Sequence, residues 1–209
     1  MLTVREFLTR DGRNPFREWL GTLDVTMRAR VQGRVLRFEL GNLGDHKSVG
    51  AGVWKARLAF GPGYRIYFGR DGDSIVVLLM EARRRRRGGI SVGLRHSGAT
   101  TSRQNDMARR SEDWNIGLAH DLQDPKFARE FLLGAVEEGV PVQVALGKVI
   151  RAMGVKEFAA KVRMASPNVL RAINPRHNPT QDTLNRLLRP FKLRLTLAPL
   201  EPPKGRRAA

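Results

Sequence analysis

Apolar side chains change their period partway along this chain, and that change limits the folds open to it. From Val53 to Phe60 they alternate: Trp54, Ala56, Leu58 and Phe60 fall on one side, Val53, Lys55, Arg57 and Ala59 on the other. This is the two-residue repeat of a strand with one covered face. Beyond Met107 the repeat becomes three to four residues, that of helices laid on a core. Residues 83–106 obey neither rule. Arg83 to Arg87 is an unbroken arginine run, Gly88-Gly89 follows, and Ser91 to Asp106 is rich in Ser, Thr, Gly, Gln and Asn, the composition of a linker.

The strand-rich part opens with helices. Asn14-Pro15 is a start signal, a capping side chain followed by a proline at the first helical position. Phe16, Trp19, Leu20 and Leu23 share a face, and Val31, Val35 and Phe38 continue the spacing up to Gly41. Interleaved Arg28, Arg30, Arg34 and Arg37 predict a basic face turned to water or RNA. Strands are expected over Val53–Phe60, Tyr64–Gly69 and Ser74–Met80, with turns at Gly61-Pro62-Gly63 and Asp71-Gly72-Asp73. The part beyond Met107 reads as helices from Asp124-Pro125 to Glu138, Val142 to Met153, Val155 to Val162, Ser166-Pro167 to Ile173 and Thr183 to Arg189, with Lys192–Leu197 as a short last strand. The expected architecture is an α+β unit, two helices on an antiparallel sheet, over residues 1–82. A basic linker over 83–111, an all-α helix-turn-helix domain over 112–198 and a disordered tail over 199–209 follow.

Charge narrows the partners. The chain carries 38 basic and 20 acidic side chains, a net +18. Residues 1–106 hold 20 basic and 10 acidic, leaving 18 and 10 for 107–209, so each part is basic. Cationic surfaces on both parts suit polyanions, since phosphate contacts by Lys and Arg supply most non-specific nucleic-acid affinity. The absence of cysteine excludes disulfides and cysteine-ligated zinc. No run approaches the roughly 20 apolar residues of a bilayer span. The expectation is a cytoplasmic protein with no membrane contact, no metal and no cofactor.

Lys55-Ala56-Arg57-Leu58-Ala59-Phe60-Gly61-Pro62-Gly63-Tyr64-Arg65-Ile66-Tyr67-Phe68, the upstream segment Gly41 to Gly50 and the Asp71-Gly72-Asp73 hairpin together resemble the RelE/HigB superfamily of toxins, in its phage-derived, addiction-module killer branch. The resemblance covers roughly residues 1–80. It implies an mRNA endonuclease (an mRNA interferase) acting at the ribosome, with Arg65, Arg57 and Lys55 catalytic and Lys47, Tyr64, Tyr67 and Arg84 contacting RNA. Arginine and lysine on a rigid strand place fixed positive charge where a cleaving phosphate becomes more negative. Tyr64 or Tyr67 would stack on a base. His46, in a glycine-rich loop, is read as incidental. Beyond Met80 the chain departs from the family pattern: Arg84 falls near the position of a family lysine, but its neighbours do not match.

The run from Val155 to Ile173 reads as helix, short turn, helix, with Phe158, Ala159 and Val162 packed against Val169 and Ile173. With Asn174-Pro175-Arg176-His177-Asn178-Pro179-Thr180 and Leu193-Arg194-Leu195, it resembles HigA-like antitoxins carrying a Cro/C1-type helix-turn-helix. That resemblance implies operator DNA as a partner. Asn168 and Arg171 would reach base edges, and Lys156, Lys161, Ser166 and Arg176 the backbone. The implied whole is a toxin-antitoxin fusion that regulates its own promoter, holds its toxin by an intramolecular contact and forms a homodimer through its C-terminal part. The alternative is a DNA-binding regulator whose RelE-like part is inactive.

Overall fold

A computed structural model describes residues 1–61, 63–81 and 110–197. The first of these segments opens with strand β1 (Thr3–Phe7), helices α1 (Pro15–Gly21) and α2 (Val25–Glu39), and strands β2 (His46–Gly50) and β3 (Val53–Arg57). The second holds β4 (Arg65–Asp71) and β5 (Ser74–Glu81). The third begins with strand β6 (Ser111–Asp113), followed by α3 (Trp114–Asp121), α4 (Pro125–Glu137), α5 (Val142–Met153), α6 (Val155–Lys161), α7 (Ser166–Ala172) and α8 (Gln181–Leu188). The Asn14-Pro15 signal works as read: the Asn14 side chain accepts from the Arg17 amide with Pro15 in the first turn. Asp124-Pro125 starts α4 in the same way.

Two parts of the expected architecture are overturned. The sheet is mixed, not antiparallel. Its order is β2-β3-β4-β5-β1-β6, and β1 runs parallel to β5 with Val4 opposite Ile75. The C-terminal part is not a separate all-α domain. Its first described element, β6, extends the N-terminal sheet by pairing antiparallel with β1, and Arg5 fixes it through hydrogen bonds to Ser111 Oγ and O, each 2.6 Å. One continuous core holds Val4, Phe38 and Phe68 from the first part together with Phe131, Ile150 and Phe158 from the second. The last predicted strand is also absent: residues 193–197 are irregular.

Helix α4 lies across α2, and two glycines set how closely. A Cβ on Gly33 would stand 2.8 Å from the Ala135 amide nitrogen, and one on Gly134 would stand 2.8 Å from Arg30 Cα. Only glycine allows backbones so near. This contact redirects the arginines of α2. Arg34 is buried against Glu138 at 3.1 Å, with Arg37 at 3.8 Å from the same carboxylate. Arg30 pairs with Glu137 at 3.2 Å and lies over the Phe60 ring, and Arg28 covers Phe127. The basic face predicted to meet water or RNA is the docking face for α4. Burial lowers the pKa of Arg34 against the pull of Glu138.

A second polar seam joins β1, α1 and α2 to α3. Arg17 bridges Glu6, at 2.8 Å, and Asp121, at 2.9 Å. Gln32 donates to Asp121 and accepts from the Trp114 indole at 2.6 Å. Glu6 is 1% exposed. Burial raises its pKa, and the hydrogen bonds and charge of Arg17, with Asn14, only partly restore it. A folded-state carboxyl with a raised pKa holds its proton more tightly than the unfolded chain does. Its contribution is therefore complete below the ordinary value of 4.5 and is lost as pH rises through the raised value. Urea midpoints measured across this range should fall with rising pH more steeply in the wild type than in Glu6→Gln. Parallel curves would refute the assignment.

Candidate nucleic-acid interfaces

Strand register decides which predicted cations meet. Lys47 on β2 stands directly opposite Lys55 on β3, which stands opposite Tyr67 on β4. One step along the strands on the same face, Arg57 opposes Arg65, and Glu81 on β5 is the register partner of Arg65. Residues two apart and directly paired residues share a face. Lys47, Lys55, Arg57, Arg65 and Tyr67 therefore lie together on one side of the sheet. That side is opposite Ala56, Ile66 and Phe68, which are fully buried in the core with α2. Lys47 and Arg57 are exposed, and Lys55 and Arg65 are half-buried. Among the residues whose side chains are described, none makes an ion pair with these four cations. Beside them the same face carries a small apolar cluster, Val53, Val76 and Leu78, with Phe7 and Tyr67 packed on it.

Two expectations separate here. Tyr67 joins the cationic face, but Tyr64 does not. Tyr64 is buried in the core, its ring 5.4 Å from Trp19 and 6.4 Å from Phe60, so it is not a surface for a base. The burial alternation runs on past Arg57 through Leu58 and Phe60, and Tyr64, two residues before Ile66, falls on the same buried face. His46 opposes Ala56 rather than a cation, with its ring 5.5 Å from Trp54, and so sits on the other side of β2 from Lys47. Arg84 lies outside the described residues. The sequence reading missed Arg5 and Phe7, because β1 offers only Val4 as an apolar core residue and has no repeat long enough to mark it.

In the second part, α6, the turn 162–165 and α7 form the expected helix pair. Phe158, Ala159, Val162, Val169 and Ile173 are buried on its inner side. Lys156, Lys161, Asn168, Arg171 and Arg176 are exposed, and Ser166 is half-buried. Arg186 of α8, which the sequence gave no reason to single out, clamps the turn. Its Nε donates to Val162 O at 2.8 Å and its Nη2 to Arg163 O. These bonds fix the two helices without using the exposed polar side chains of α7. Gln143 of α5 donates to the carbonyls of Ala172, Asn174 and His177, which anchors the far end of α7. Among the described residues no helix is long and apolar enough to cross a membrane, and no group of three His, Asp or Glu is placed to hold a metal ion.

Comparison with known proteins adds little. No family model matches the chain, and no solved structure does. The chain is similar to an uncharacterized protein of Haemophilus influenzae, 37% identical over 65 residues. That stretch is 31% of this chain and 66% of the relative, just under two thirds of its length.

Proposed function

We propose that the chain joins an RNA-cleaving toxin to a DNA-binding antitoxin of the addiction-module kind. One observation carries the first half of this reading: Lys47 faces Lys55 and Arg57 faces Arg65 on one side of the sheet. Like charges directly opposite one another destabilise a sheet. A ribonucleotide backbone would supply counter-charge beyond that of Glu81, the register partner of Arg65. Tyr67, in the lysine row, offers a ring for an unstacked base.

RNA cleavage by its own 2′-hydroxyl is the chemistry that suits such a face. The hydroxyl loses its proton, its oxygen bonds to the adjacent phosphorus, and the bond to the 5′-oxygen breaks. That oxygen takes up a proton, leaving a 2′,3′-cyclic phosphate and a 5′-hydroxyl. Arg65 stabilises the charge that builds on the phosphorane, and Arg57 and Lys55 orient the phosphate. Lys47 holds a neighbouring phosphate. In the second half, Asn168 and Arg171 read base edges of operator DNA, while Lys156, Lys161, Ser166 and Arg176 grip its backbone.

A second reading has its own support. The glycine crossing of α2 and α4 and the buried Arg34–Glu138 pair join the halves through one core, so the first half is not released intact from the second. On that reading the chain is a DNA-binding regulator that holds RNA without cutting it.

The test uses the full chain with ribosomes and mRNA, beside Arg65→Ala and a Lys55→Ala/Arg65→Ala double variant. Wild type should bind single-stranded RNA with strong salt dependence. The double variant should bind more weakly, its log–log salt slope shallower by roughly 0.7 per lost cation. New 5′-hydroxyl mRNA ends should appear with wild type and vanish with Arg65→Ala. Salt-dependent binding without new ends selects the second reading. Binding that the double variant leaves unchanged removes RNA from the account. An operator arm with Arg171→Ala, expected to cost about 1–3 kcal/mol of sequence discrimination, tests the DNA half.

A further inference from the structure

We infer that a cleft between α3 and α5 binds a small amphipathic anion: an apolar body carrying one carboxylate. The cleft measures about 610 Å³, within the usual range of small-molecule sites. Its lining is largely apolar: Leu118, Leu122 and Ile173 are each 1% exposed, while Ala119 of α3 and Val144 and Ala152 of α5 are half-buried. That lining takes a hydrocarbon or aromatic body but does not orient it. Orientation comes from the charged groups, and they are unevenly satisfied.

Lys148 is already neutralised. Its ammonium sits 2.7 Å from Glu39 Oε2 and donates to Asn115 Oδ1. A ligand anion at that end would compete with an existing pair. Arg151, one turn further along α5, also lines the cleft. It is exposed and has no acidic partner among the described residues. Arg151 is therefore the one cationic side chain of the cleft without an acidic partner among the described residues, at its rim beside apolar walls. A neutral ligand leaves that charge unused. A monoanion with its head on Arg151 and its body along Ala119, Val144 and Ala152 matches both features. Its occupant would touch Glu39, the last residue of α2, and Ile173, just past α7. It would thus contact both parts of the chain at once. This inference stands independently of the nucleic-acid reading.

Calorimetric titration of the full chain with octanoate, and separately with octan-1-ol, tests it. Octanoate should bind at one site per chain and at least about tenfold more tightly than the alcohol, the worth of one hydrogen bond to a charged group. Arg151→Gln should remove that preference and leave alcohol binding unchanged. Val144→Phe should fill the cleft and abolish both. If Val144→Phe lowers the thermal midpoint markedly, Ala119→Leu obstructs the same space from α3 and replaces it. No octanoate binding, equal binding of acid and alcohol, or an undiminished preference in Arg151→Gln would each overturn the assignment.

Discussion

Gly134→Val is expected to lower the stability of the whole chain by about 3 kcal/mol or more, the upper range for forcing extra atoms into a packed interior. The added Cβ would lie 2.8 Å from Arg30 Cα and 3.2 Å from its amide nitrogen. Those are main-chain atoms in the middle of α2, so no rotamer change relieves the clash. The helices must move apart, and the Arg34–Glu138 pair packed beside the crossing, both side chains under 10% exposed, would then meet water. For a chain of this size each kcal/mol moves the thermal midpoint by roughly 2–4 °C. A drop of about 6–12 °C should therefore be seen by calorimetry. Gly21→Ala is the control. Gly21 ends α1 with open space around its Cβ position, and alanine there should be neutral or slightly stabilising. A Gly134→Val midpoint equal to that of Gly21→Ala would mean that the two halves do not depend on this contact.

The same crossing explains what could be read from the sequence and what could not. Segments whose side chains repeat over several turns were legible. The boundaries of α4, α5, α6 and α7 fall within two residues of those expected, because capping residues and glycines mark them locally. The cationic face was legible too, since alternation alone puts Lys55 and Arg57 on one side of a strand. That Arg57 would meet Arg65, and Lys47 meet Lys55, was not: register depends on turn geometry and on a partner strand, β2, that lacks an apolar alternation. The strands β1 and β6 were missed for a related reason. Ser111-Glu112-Asp113 has no hydrophobic residue, and its strand state comes from pairing with β1, not from its own composition. The stripe Arg30, Arg34 and Arg37 misled because charge on a helix usually means solvent. Here acidic residues more than 100 positions away, Glu137 and Glu138, meet it, and no local pattern records so distant a pairing. That distance also turned an expected pair of domains into one core.

Arg17→Met should be the most damaging single change outside the glycine crossing. Among the described residues Arg17 is the one cation bridging Glu6 and Asp121, carboxylates with 1% and 15% side-chain exposure. Methionine keeps most of the volume and removes the charge, leaving two neighbouring carboxylates without a counter-ion. Breaking a buried pair in this way costs about 3–5 kcal/mol, and the partial exposure of Arg17, 21%, argues for the lower end. The loss should depend on pH with a definite sign. Arg17 is what pulls the Glu6 pKa down against burial, so without it that pKa rises further and Glu6 takes up a proton more readily in the folded state. The variant should thus be most impaired at neutral pH and should recover part of its deficit as pH falls toward the ordinary carboxylate range. Adding Glu6→Gln to Arg17→Met should restore stability at neutral pH and abolish the recovery at low pH. Urea unfolding of the four proteins of this cycle at two pH values measures the coupling directly. Additive losses, the same at both pH values, would show that Arg17 acts through packing alone and that the charge network of this seam does not hold β1 and α1 to α3.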